Sequence, residues 1–193
     1  MTALAAEKIE KLVNGVAVDK LYATIDAIKA DPEIAKSNFR VTNKWINGGH
    51  NRTTVTDFYG AKETRNHLTE FELEADEPPL LLGEDLGANP VEHLLHALAA
   101  CVTSSIVYHA AARGIAIRGI ESRLEGDLDL RGFLGLSNQV PVGYQQIRLF
   151  FKIDADLSDP EKVHLIEIGK KFSPVFNTVF QGKTTVAVEL DKQ

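Results

Sequence analysis

Cys101 is the one cysteine of the chain, and as a thiolate it would be the strongest nucleophile the sequence offers. A cysteine becomes reactive where a cation favours its ionised form and where substrate can reach it; otherwise it packs as a small apolar side chain. No positive charge adjoins Cys101 in the sequence, so an activating cation has to arrive from elsewhere in the fold. Glu92, His93 and His96 form a second cluster of chemistry-bearing residues, with the two histidines on one face of a helix. They lack a third ligand at a recognisable spacing, and their order is not the His-Glu-x-x-His of a zinc protease. Hydrogen bonding between elements is the ordinary reading of this pair, and neither a metal nor another cofactor is expected.

Cys101 falls within a run, His93 to Ala112, that holds no Asp, Glu, Lys or Arg. About 20 such residues can span a bilayer. This run carries three histidines, Thr103, Ser104, Ser105 and Tyr108 among many alanines, which fits a helix buried in a soluble protein better. Asn89 as N-cap and Pro90 at the first helical position start the helix, and Arg113-Gly114 ends it. Three strands precede it. Phe39, Val41 and Trp45 alternate with polar neighbours from residue 38, Asn47-Gly48-Gly49 makes a turn, a second strand occupies about 53 to 59, and a third about 68 to 75. Residues 78 to 87 read as loop.

Beyond the helix, Ile120, Leu124, Leu128 and Leu130 alternate with charged residues, and Ile147, Leu149, Phe151 and Ile153 make a fifth strand after a glycine-containing loop, 131 to 144. Ser158-Asp159-Pro160-Glu161 opens a helix to about Lys171, and Ser173-Pro174 opens a shorter one ending near Gly182. Val186, Val188 and Leu190 mark a final strand. At the other end, Ile9, Leu12 and Val13, then Leu21, Ile25 and Ile28, recur at helical spacing, predicting two short helices before Asp31-Pro32. The expected architecture is α+β, with largely antiparallel sheets packed around a buried central helix. A helical extension occupies 1–36, and the main domain 37–193.

The 193 residues suffice for one sizeable core. A net charge of −6 without any Lys/Arg run argues against a nucleic-acid partner. One cysteine excludes an intramolecular disulfide, and charged residues near Met1 break any apolar signal stretch, so a reducing cytoplasm and no membrane are expected.

The run from Gly87-Ala88-Asn89-Pro90 through Cys101 resembles the central motif of the OsmC/Ohr family, the osmotically inducible and organic hydroperoxide resistance proteins. Two further segments, Asp129-Leu130-Arg131-Gly132-Phe133-Leu134-Gly135-Leu136 and Gly143-Tyr144-Gln145-Gln146-Ile147-Arg148, are similar to that family in the same order. The resemblance implies an intertwined homodimer and a peroxidase that uses two cysteines. The first, at Cys101, attacks an organic hydroperoxide; the second condenses with the resulting sulfenic acid, and an external thiol reduces the disulfide.

Three positions depart from that pattern. The second cysteine falls on Ser173, which cannot form the disulfide and which makes a good helix N-cap ahead of Pro174. The family glutamate falls on Val91. Glu92 is next to it, but nine residues before Cys101 is about 900° of helix, the opposite face, and roughly 13 Å along the axis. The family arginine follows the first hairpin turn, where this chain has His50 and then Arg52. Cys101 and Arg52 are therefore the expected catalytic pair of a one-cysteine peroxidase. The alternatives are a non-catalytic dimer that binds a small apolar ligand, with Phe133, Leu134 and Leu136 beside its pocket, and a partner-binding protein that docks through residues 4–31.

Overall fold

The computed structural model describes residues 11–182 and 184–188. The chain divides into two compact units, Met1–Leu94 and Leu95–Gln193.

The first unit begins with a small hairpin, β1 (Leu12–Val13) and β2 (Val16–Ala17), turned by Asn14 and Gly15 at φ 54° and 76°. The first of the two expected N-terminal helices is therefore absent at Leu12 and Val13, while Ile9 lies outside the described residues. Two successive positive φ values, which Asn-Gly adopts cheaply, reverse the chain before a helical turn can close. The second helix forms as α1 (Val18–Ala30), and Asp31 ends it by accepting from Glu33 N at 3.2 Å at the start of a 3₁₀ turn.

The unit's sheet is antiparallel and centred on β5 (His50–Gly60). Strands β3 (Asn38–Phe39) and β4 (Thr42–Asn47) pair with β5 at its two ends, and β6 (Glu63–Ala75) pairs with it as well. The turn at Gly48-Gly49 joins β4 to β5 as expected, and β6 starts earlier than the alternation from residue 68 predicts. Its early half is hidden from pattern reading by an irregularity: Val55 faces Phe71, but Asp57 already faces Asn66.

After β6 the chain folds back on itself around Asp76, whose carboxylate, 1% exposed, accepts from Glu77 N at 2.8 Å, Glu84 N at 3.1 Å and Leu86 N at 3.2 Å. Burial by itself would raise this group's pKa, but the three amides and the nearby His50 outweigh it and hold Asp76 below the usual carboxylate range. Gly87 completes the return. A Cβ there would lie 2.5 Å from the carbonyl oxygen of Glu74, so only glycine allows so close a pass. The chain then enters α2 (Pro90–Ala112), whose start is a reciprocal cap: Val91 N donates to Asn89 Oδ1 at 2.9 Å and Asn89 N donates to Glu92 Oε2 at 2.9 Å.

In the second unit α2 is buried along one stripe, Leu98, Val102, Ile106, Ala110 and Ala111, rather than all round as the charge-free run suggests. With 23 residues it is long and apolar enough to cross a membrane, but its stripe instead forms the core of this unit together with Leu165. The hairpin of β7 (Ile117–Asp127) and β8 (Gln146–Ala155) supplies the partner surface. Ile120, Leu124, Leu149 and Phe151 pack inward, while the other face pairs charges: Arg148 donates to Glu125 at 2.7 Å and to Asp127 at 2.5 and 2.8 Å. The alternation thus means what it seems to mean, except that β7 stops at Asp127.

Leu128 and Leu130 belong to the connection, which contains a short helix, α3 (Leu130–Phe133), within the segment expected to be loop. Asp129 breaks the strand because its side chain caps that helix, accepting from Arg131 N at 3.0 Å. The helices α4 (Asp159–Phe172) and α5 (Pro174–Gln181) start where their caps predict. Val186 and Val188 are exposed and in no strand, for no neighbouring edge pairs with them among the described residues, and Leu190 lies outside those residues.

Candidate active site

Cys101 is half-buried on α2, one residue before the fully buried Val102 and therefore on the flank of the helix's core stripe. The residue is thus not sealed in the core, and partial exposure on a rigid element is what a nucleophile requires and a fully buried core cysteine lacks. One turn along, Ser105 is also half-buried.

Ser173 has no exposure at all. Its hydroxyl accepts from Phe176 N at 3.1 Å, and Asn177 Nδ2 donates to its carbonyl at 2.8 Å, so the residue holds the α4–α5 corner. The N-cap role expected from Ser-Pro is present. Val91 stands in the first turn of α2 with its amide engaged by Asn89. Glu92 is committed to the same cap, which explains its presence without any role at Cys101.

Arg52 belongs to the first unit and has partners that the sequence does not announce. Strand register sets Arg52 directly opposite Glu74, and Arg52 Nε donates to Glu74 Oε1 at 2.6 Å. Glu72 lies 3.6 Å from another nitrogen of the same guanidinium. His50 points to the same face of β5, two residues away, and its Nε2 meets the second oxygen of Glu74 at 2.8 Å. Both donors pull the Glu74 carboxyl below its ordinary value, His50 first and Arg52 next, against a smaller opposing effect of burial. Reciprocally, the hydrogen bond to Glu74, followed by the nearness of Glu72, raises the guanidinium's affinity for its proton.

Glu74 and His50 are the residues that reading along the sequence misses. A glutamate alternating with apolar neighbours looks like a solvated strand position, and only the pairing of β5 with β6 reveals its partner. Arg52 also borders a groove of about 480 Å³ with Lys44, Trp45, Ile46, Thr54 and Glu72. His50 borders a smaller recess of about 100 Å³ with Asp76 and the Gly48-Gly49 turn.

His93 and His96 of α2 separate. His93 Nε2 donates to the carbonyl of Glu74 at 3.0 Å, and His96 is exposed. Among the described residues no group of three His, Cys, Asp or Glu side chains is placed to hold a metal ion.

A half-buried, helix-borne cysteine in an α+β protein of antiparallel sheets defines a class, that of the small thiol-bearing proteins in which a helix carries the cysteine. Within it, the family model described as OsmC-like protein matches residues 83–189, more than half of the chain, and the chain belongs to the OsmC-like family. Solved structures agree in fold. An OsmC-like protein from Mycoplasma pneumoniae is 20% identical, with a TM-score of 0.57 over 76% of this chain and 89% of that one. An OsmC-like protein of unknown function from Vibrio cholerae is 10% identical, with 0.56 over 75% and 95%. An organic hydroperoxide resistance protein OsmC from Legionella pneumophila is 21% identical, with 0.52 over 74% and 90%. At such identities the likeness is one of fold. No curated protein matches the chain.

Proposed function

We propose that this OsmC-like protein is a one-cysteine, thiol-dependent peroxidase that reduces organic hydroperoxides in oxidative stress defence. The observation that carries the reading is the half-buried Cys101 on α2, inside the span matched by the family model. Its thiolate sulfur attacks the terminal peroxide oxygen; the O–O bond breaks, the alkoxide takes a proton to leave as an alcohol, and Cys101 becomes a sulfenic acid. With Ser173 in place of a second cysteine, an external thiol condenses with the sulfenic acid, releasing water. A second equivalent of that thiol then frees Cys101 and carries away the disulfide. Arg52 is the cation that the family resemblance offers to the thiolate.

The same reading makes the protein a cytoplasmic homodimer. Exposed large apolar side chains support it: Phe39, Trp45 and Leu68 in the first unit, and Phe133, Leu136 and Val142 in the second. A second reading, a non-catalytic dimer that binds a small apolar ligand, is favoured by Val91 and Ser173 standing where the family pattern has its glutamate and second cysteine. One assay separates them. With cumene hydroperoxide and dithiothreitol, wild type consumes peroxide and Cys101→Ser falls to the uncatalysed rate; equal rates in the two proteins leave only the binding reading.

A further inference from the structure

We infer that the groove between β4 and β5 in the first unit binds a small monoanionic carboxylate with a flat apolar body, the carboxylate bridging Lys44 and Arg52 and the body lying along Trp45 and Ile46. Every residue involved belongs to the first unit, and Cys101 has no part in it, so binding here is separate from the proposed peroxidase reaction.

Strand register sets Lys44 directly opposite Arg52. Like charges in that position repel, and an anion between them removes the repulsion. Arg52 has counter-charges on its other side, Glu74 at 2.6 Å and Glu72 at 3.6 Å. Lys44 has none: among the described residues its ammonium makes no hydrogen bond and no ion pair. Arg52 Nη2 and the Thr54 hydroxyl also make no hydrogen bond among those residues. Positions 52 and 54 share one face of β5, so all three donors border the same groove of about 480 Å³. Small-molecule sites occupy roughly 300–1,000 Å³.

The groove wall defines the rest of the ligand. Trp45 is 68% exposed and Ile46 42%. The indole N–H is spent on the Gly48 carbonyl at 3.1 Å, which holds the ring in place and leaves its face as apolar surface. A ring fixed before the ligand arrives loses little entropy on binding.

Charge defines the anion. Lys44 and Arg52 against Glu72 leave a single positive charge on the lining. Glu74, held below its ordinary value by His50 and then by Arg52, stays ionised beside it. One negative charge is balanced there and a second is repelled, which favours a carboxylate over a phosphate dianion. Charge-assisted bonds from Lys44 and Arg52, with the Thr54 hydroxyl beside them, match the two oxygens of a carboxylate.

Trp45 is the one tryptophan of the chain, so its emission reports the groove directly. The full chain is titrated with 4-phenylbutyrate, with 4-phenylbutan-1-ol as the uncharged counterpart and 4-phenylbutylphosphonate at pH 8 as the dianion, and calorimetry repeats each titration. A saturable response to phenylbutyrate is expected, at least about tenfold tighter than to the alcohol, the loss expected of a charge-assisted hydrogen bond. The phosphonate should bind more weakly than the carboxylate. Lys44→Met should weaken phenylbutyrate by roughly tenfold or more, Lys44→Arg should retain it, and Cys101→Ser should leave it unchanged. Circular dichroism confirms that each variant is folded, and Thr54→Val, expected to weaken binding less than Lys44→Met, serves if the latter folds poorly. No saturable response in the folded wild type, an alcohol bound as tightly as the carboxylate, a phosphonate bound more tightly, or a folded Lys44→Met that binds like wild type would each overturn the inference.

Discussion

Ser173 and Phe176 are joined by a hydrogen bond from the Phe176 amide to the Ser173 hydroxyl at 3.1 Å, within a side chain wholly shielded from water. Ser173 is therefore a structural cap. Ser173→Ala should lose about 1 kcal/mol, within the 0.5–2 kcal/mol range of helix caps. Urea denaturation checks this, and under the proposed mechanism, in which an external thiol resolves Cys101, peroxide turnover with dithiothreitol should not change.

Gly169 of α4 and Ile106 of α2 approach so closely that a Cβ at residue 169 would lie 2.4 Å from Ile106 Cγ1. Gly169→Ala should destabilise by about 1–3 kcal/mol, the usual cost of overpacking, although alanine is the better helix former. In an Ile106→Ala background the clash with Ile106 is gone and only a 3.2 Å approach to the Val102 carbonyl remains, so Gly169→Ala should cost markedly less there than in wild type. Equilibrium unfolding of the four proteins gives the coupling; additive effects would contradict the contact.

Acid should unfold the protein through specific carboxylates. Arg131, by its side-chain hydrogen bond and then by its backbone amide, draws Asp129 down from 3.8 to about 2. Asp76, despite the opposing cost of burial, also lies below 3.8 through its three backbone donors and His50. A carboxylate depressed in the folded state stabilises fully above its unfolded value and loses that contribution as pH falls through the folded one. Stability should thus decline below about pH 4, and Asp129→Asn should flatten the decline between 3.8 and about 2. Circular dichroism at fixed urea across that range reads it, and an unaltered slope would contradict the pairing.

What the sequence makes legible is local chemistry and period. Asn89-Pro90, Ser158-Asp159-Pro160-Glu161 and Ser173-Pro174 start helices where they stand because caps act within one turn, and the alternation in β7 and β8 sorts core from surface faithfully. The Asn14-Gly15 turn was available as a signal too, but the helical spacing of Leu12 and Val13 competed with it, and only the backbone shows which won. Glu74 illustrates the other limit. Its partners Arg52 and His50 lie 22 and 24 residues away, and a register established across two strands brings them together. Nothing local marks it.

The central claim is that Cys101 carries the reaction, and a single turnover tests it most directly. One equivalent of cumene hydroperoxide, added without reductant and followed by a sulfenic-acid trap, should place one trap molecule on Cys101 by intact mass and peptide mapping. Subsequent dithiothreitol without the trap should return the unmodified thiol. A folded wild-type protein that leaves the peroxide intact and Cys101 unlabelled would contradict the account.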